Sequence, residues 1–117
     1  MNIEAVYQYC LSLPFAEETF PFDEETLVFK VFGKIFAILD LNSGNTINLK
    51  CDPELAEKYR FTYDAIIPGY HMNKKHWNTV YLDCHLNDHF ICEMILNSYR
   101  LVVKSLPKKY QELCGIN

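Results

Sequence analysis

Four glycines in 117 residues leave little material for a glycine-rich phosphate loop, and no G-x-G-x-x-G or G-x-x-x-x-G-K run is present. The common nucleotide-binding designs are therefore not expected. No apolar run approaches the ~20 residues that a membrane-spanning helix requires. The opening residues, MNIEAVYQYCLSLPF, have no basic stretch and carry Glu4, so they do not read as a secretory signal, and a cytoplasmic location is expected. The five cysteines are odd in number, and no two form a C-x-x-C pair. Cys10, Cys51, Cys84, Cys92 and Cys114 thus read as reduced thiols acting mainly as small hydrophobes, not as a disulfide framework. No sign of charge dominates strongly, since the net charge is −4.

What is abundant is apolar surface. Half the residues are hydrophobic and 15% are aromatic, which is ample for one packed core and argues against disorder. The length suits a single domain over residues 1–117. Charge is uneven along the chain. Residues 1–64 hold eleven acids against five Lys or Arg, whereas residues 65–117 hold four acids against six. A domain built from both halves can present two differently charged surfaces.

Ile3, Val6, Tyr7, Cys10 and Leu11 keep helical spacing, with Asn2 as cap and Pro14 as stop. Residues 13–25 read as a loop that turns its aromatics inward and exposes Glu17, Glu18, Asp23, Glu24 and Glu25 to solvent. Three alternating runs follow, at 27–32, 35–41 and from Ile47 to Leu49, separated by Gly33 and by Asn42 to Asn45. Connections this short require antiparallel neighbours, hence a three-stranded meander. Asp52, Pro53 and Glu54 then begin a short helix over 53–59. A brief strand is expected at 65–67 and another at 79–83. Ile91, Met94, Ile95, Ser98, Val102 and Leu106 mark a long helix capped near Asn87. Pro107 opens a last helix over 107–113, closed by Gly115. The fold class is α+β, an antiparallel sheet packed by helices.

The most individual stretch is residues 68–83, PGYHMNKKHWNTVYLD, which holds adjacent lysines and the only tryptophan. Pro68-Gly69 signals a turn, and Asn73 is placed to cap one helical turn before Trp77 packs inward. Together with SYRLVV at 98–103 and LPKK at 106–109, this string resembles the bacterial YjbR/MmcQ family. The looser order of N-terminal helix, Phe-Pro segment, meander and Pro53-started helix extends the likeness over nearly the whole chain. The resemblance implies a small antiparallel sheet backed by helices. That fold has been likened to a double-wing arrangement of DNA-binding modules, and the likeness implies a DNA-binding role on that basis. The family commonly has a glycine turn after the Leu-Asp that matches Leu82 and Asp83, where this chain has Cys84 and His85.

Three kinds of site come into question. For nucleic acid, Lys74 and Lys75, with His71, Asn73 and His76 nearby, could meet phosphates, and Lys104, Lys108 and Lys109 form a second basic group. Tyr70 and Trp77 could in principle stack on bases. Against this, a pI near 5.5 gives a thin basic footprint, and the plainer reading makes Pro68, Gly69 and Trp77 a structural motif with solvated lysines. For metal, Cys84, His85, Asp88, His89 and Cys92 lie within nine residues, but without the paired-cysteine spacing of structural zinc sites. No nucleophile, base and orienting group appear together, so no enzyme activity and no cofactor are expected. The sequence points to weak, salt-sensitive DNA binding through a basic turn. The alternative is a protein-interaction module, using meander edges or a patch around Phe20 and Phe22, in which residues 68–81 only hold the fold together.

Overall fold

The computed structural model describes residues 1–42, 45–69 and 73–115. Helix α1 (Ile3–Ser12) is followed by strands β1 (Ala16–Thr19), β2 (Thr26–Val31), β3 (Lys34–Asp40) and β4 (Thr46–Lys50). Helix α2 (Pro53–Thr62), strands β5 (Ile66–Pro68) and β6 (Trp77–Tyr81), and helices α3 (Asp88–Lys104) and α4 (Lys108–Leu113) complete the chain. The six strands form one antiparallel sheet in the order β1-β2-β3-β4-β6-β5. The α+β architecture and the meander are as the alternation dictated. No helix among the described residues is long and apolar enough to cross a membrane.

Local chemistry accounts for the element starts. Asn2 Oδ1 accepts from Ala5 N at 2.8 Å, Asp52 Oδ2 from Leu55 N at 3.3 Å, and Asn87 Oδ1 from His89 N at 2.8 Å. Each satisfies a backbone donor that the first helical turn leaves without a partner. The β2–β3 hairpin turns on Phe32 and Gly33, both with positive φ (45° and 81°), the geometry that matches strand twist in a two-residue turn. Phe32 is held there by ring contacts, 5.1 Å to Phe15 and 4.5 Å to Tyr110.

Strand alternation divides the sheet into two faces. Leu27, Phe29, Leu39, Ile47, Leu49, Ile66 and Val80 point to the helices and join Ile91, Ile95, Tyr99 and Val103 in the core. Val28, Ile38, Thr46, Asn48 and Thr79 point the other way, to a face that no helix covers. The register slips between Phe29 and Lys30, leaving Phe36 as the extra residue of a bulge. Its carbonyl accepts from Ser98 Oγ at 2.6 Å, and the Ser98 hydroxyl oxygen accepts from Lys50 N at 2.8 Å. One buried serine on α3 thus stitches β3 to β4.

Five expectations need correction. Residues 13–25 are not all loop, because β1 lies within them as an edge strand. Its sequence, Ala-Glu-Glu-Thr, lacks hydrophobic alternation. Its place comes from pairing with β2 and from Tyr7 Oη, which donates to Glu18 Oε1 at 2.7 Å. The aromatics there do not all turn inward either, since Phe15, Phe20 and Phe22 are 47–68% exposed. Helix α2 runs to Thr62, not Tyr59, although Phe61 on that extra turn is almost fully exposed. Strand β6 begins at Trp77, two residues early, because Trp77 and Asn78 pair with Lys50 and Leu49. The brief strand β5 is displaced one residue, to Ile66–Pro68, by the same ladder.

Candidate nucleic-acid interface

Residues 68–81 form the β5–β6 connection and the strand after it. Pro68 pairs with Asn78, and Gly69 N donates to Trp77 O at 2.9 Å, bringing the two backbones together. A Cβ on Gly69 would stand 3.0 Å from Trp77 Cβ and 3.1 Å from Trp77 O, so any side chain there would force Trp77 to shift. Asn73 caps the following turn as expected. Its Oδ1 accepts from Lys75 N at 2.9 Å, and its carbonyl accepts from His76 N and Trp77 N at 3.1 and 3.0 Å. Trp77 is buried and is therefore not available for stacking on a base. Lys74 and Lys75 are exposed on the outside of the turn. His71 and Tyr70 lie outside the described residues.

The residue that sequence reasoning missed is Arg60. From α2, its Nε donates to Asn78 Oδ1 at 2.6 Å, and its guanidinium also reaches the carbonyl oxygens of Lys74 and Trp77. Asn78 in turn donates to Ala56 O at 3.4 Å. Cys51 N donates to His76 O at 2.7 Å. The lysine turn is thereby tied to α2 and to the end of β4. It presents its cations from a fixed platform.

Strand direction places every connection at one of two ends of the sheet. One end gathers the β2–β3 hairpin, the close of β4, the β5–β6 connection and the α3–α4 corner. Lys34, Lys50, Lys74, Lys75, Lys108 and Lys109 lie there. The acids at that end are Asp52, already used as the cap of α2, Glu54 in the first turn of α2, and Glu112 on α4. The opposite end gathers residues 20–25, 41–42, 45, 63–65 and 82–87. Their sequences contain no Lys or Arg and contain Asp23, Glu24, Glu25, Asp64 and Asp83. The two basic groups expected from the sequence therefore share an end. They do not share a patch, because Lys74 and Lys75 lie by the β5–β6 edge. Lys108 and Lys109 lie on α4, whose Tyr110 packs on Phe32 of the hairpin. Lys109 Nζ stands 5.0 Å from the Tyr110 ring centroid. Lys34 and Lys50 fill the span between them. The meander already implied their common end, because the single antiparallel reversal between β3 and β4 brings the close of β4 back beside the start of β3.

The Cys84 to Cys92 stretch is arranged otherwise. Asp88 Oδ1 faces the α-amino group of Met1 at 3.1 Å, Cys92 Sγ lies 3.9 Å from Met1 Sδ, and Cys84 Sγ lies 3.9 Å from Asp83 Oδ1. His85 and His89 are exposed. Among the described residues, no three His, Cys, Asp or Glu side chains gather as a metal-binding set.

The YjbR family model matches residues 11–101. YbdF of Escherichia coli O157:H7, described as an uncharacterised protein, is 41% identical over 110 residues, covering 93% of this chain and 90% of that protein. YjbR of Escherichia coli K12, likewise described as uncharacterised, is 36% identical over 114 residues, with 97% of each chain covered. Among solved structures, the Deinococcus radiodurans protein DR2400 superposes with a TM-score of 0.89 at 39% identity. That match covers 99% of this chain and 89% of the other. A Pseudomonas syringae protein gives 0.74 at 28% identity, covering 87% and 99%.

Proposed function

Because the chain belongs to the YjbR family, whose members matched here bring no assigned activity with them, we propose a function from its own charge distribution: it is a non-catalytic domain that binds DNA through phosphate contacts at the lysine-bearing end of its sheet. The observation that carries this reading is the segregation of charge by strand end. An overall charge of −4 argues against polyanion binding only if the charge is evenly spread. Here the far-end connections hold five acids and no Lys or Arg, and an extended phosphate backbone can run from the β5–β6 turn past Lys50 and Lys34 to α4. The Arg60 clamp supports the reading, since a fixed turn loses little freedom on binding. Trp77 is buried and offers no stacking surface, so the contact at the lysine turn is one of phosphate and shape. A cytoplasmic setting fits the five free thiols.

The exposed rings of Phe20 and Phe22, together on the β1–β2 connection, favour a protein-binding surface as the second reading. Phe61, exposed on α2, lies toward the opposite edge of the sheet and does not join them.

Binding of a labelled short duplex, followed by anisotropy across a salt series, tests the proposal. Affinity should fall log-linearly with salt. The double variant Lys74→Gln/Lys75→Gln should bind more weakly, with the slope reduced by about 1.8, near 0.9 for each phosphate no longer neutralised. Absence of salt-sensitive binding at low ionic strength would overturn the reading, as would an unchanged slope in the double variant.

A further inference from the structure

At the lysine-bearing end, Phe15, Phe32 and Tyr110 stack in a row that the phosphate contacts do not use. The Phe15 and Phe32 centroids stand 5.1 Å apart with 32° between the ring planes. Those of Phe32 and Tyr110 stand 4.5 Å apart with 33°. Lys109 Nζ closes the row, 5.0 Å from the Tyr110 centroid. At its other end Phe15 is 51% exposed, which leaves ring surface for a further flat group to lie against. The backbone beneath is fixed. Ala16 pairs with Val31, which sets Phe15 beside the hairpin, and the buried Tyr99 donates from Oη to Pro14 O at 2.6 Å.

Among the described residues, Phe15 and Phe32 are the two non-glycine positions with positive φ, at 60° and 45°. Bulky side chains rarely adopt that conformation, and Gly or Asn would meet it without placing a large ring in solvent. The surroundings are cationic. Lys34 follows Gly33 in the hairpin, Lys108 and Lys109 precede Tyr110 on α4, and all three are exposed. Of the acids on the adjoining strand and helix, Glu18 is bonded to Tyr7 and Glu17 stands opposite Lys30, which leaves Glu112. Rings and cations together suit a polyanion whose flat groups are free to stack. In a duplex the bases already stack on one another, whereas a single strand offers their faces. We propose, resting on the phosphate-binding reading above, that this row is a base-stacking platform and that the preferred ligand is single-stranded DNA. Its bases lie against Phe15, and its backbone meets Lys34 and the lysines of α4.

The test compares labelled oligothymidylate, a duplex of the same strand length and an abasic oligomer with the same number of phosphates, each titrated with the full chain across a salt series. Oligothymidylate should bind more tightly than the duplex and about tenfold more tightly than the abasic oligomer, the scale of stacking on one base. Phe15→Ala, at an exposed position, should remove most of that advantage while leaving the abasic oligomer's affinity and salt slope unchanged. Phe15→Trp should retain binding, and oligothymidylate should quench its fluorescence. The parent's emission should stay unquenched, because Trp77 is buried. Lys74→Gln/Lys75→Gln should instead lower the salt slope for all three ligands. Salt-sensitive binding in which the abasic oligomer or the duplex matches oligothymidylate overturns the stacking platform and leaves the phosphate reading standing. So does binding of oligothymidylate that neither Phe15 variant alters and that leaves Phe15→Trp unquenched. Absence of salt-sensitive binding to any of the three overturns both.

Discussion

At the scale of single residues, the two most constrained positions are a glycine and a thiol. Gly69 lies where β5 leaves the sheet against Trp77, and the space for a Cβ is filled by backbone and by Trp77 Cβ. Neither can retreat, because the Trp77 carbonyl is in the ladder region and its side chain is core. Gly69→Ala should therefore destabilise the domain by about 1–3 kcal/mol, the usual penalty for overpacking a filled site, measured as a lower midpoint in urea. Cys10 is wholly buried, and burial, with Cys92 nearby, pushes its thiol up to about 12. Cys51 is pushed up to about 11 by burial and the adjacent Asp52 charge. Both are protonated and poor nucleophiles at neutral pH, whereas Cys84 is exposed and should react first with a thiol reagent. Folding holds these two protons more tightly than the open chain does. Their contribution is fully present below about pH 8.5, the ordinary thiol value, and is lost as the pH rises toward 11 and 12. Stability measured by denaturant should be flat from this source across the neutral range and decline in alkali. Cys10→Ala/Cys51→Ala should show a shallower alkaline decline.

At the scale of elements, Ser98 shows why helix α3 matters beyond its apolar stripe. Its hydroxyl serves two backbone groups, the Phe36 carbonyl at the bulge and the Lys50 amide at the close of β4. Ser98→Ala would leave both buried without a partner, which should destabilise by about 2–4 kcal/mol and expose β4 amides to hydrogen exchange before the rest of the sheet. Ser98→Thr keeps the oxygen and should recover part of the loss. The spacing in the sequence had marked Ser98 as a core-facing helical position but could not say what it touched, since its partners lie 62 and 48 residues away. The same division runs through the fold. The caps at Asn2, Asp52 and Asn87 and the Gly33 hairpin were legible because each is a local arrangement of a few residues. Strand β1 was not, because Ala-Glu-Glu-Thr becomes a strand only through the neighbouring ladder and Tyr7. The start of β6 was missed for the same reason. Trp77 and Asn78 look like the end of a turn until β4 is set beside them.

At the scale of the molecule, the candidate site was half legible. Lys74, Lys75, Lys108 and Lys109 stood out as adjacent pairs, and Asn73 as their cap. Arg60 gave no local signal, since its acceptors come from residues 14 to 18 positions later. Counting charge along the chain also hid the pattern that matters, because each strand carries the chain from one end of the sheet to the other. Lysines scattered in sequence are thereby gathered at one end. The strands that separate the two ends run for about 17–20 Å at ~3.3 Å per residue, roughly twice the ~8 Å Debye length at physiological ionic strength. Charges at the acidic end are therefore largely screened from a polyanion at the other. Neutralising Glu24, Asp64 and Asp83, all exposed at the acidic end, should change duplex affinity by less than about twofold at physiological salt. Neutralising Lys34, Lys74 and Lys75 should reduce it by more than about tenfold, because three phosphates then keep the counterions that the lysines would have released. The two triple variants alter net charge by the same amount in opposite directions. If affinity instead followed net charge, with the acidic-end variant binding more tightly by the factor that weakens the basic-end variant, the molecule would be acting as a single averaged charge. A directed interface would then be excluded.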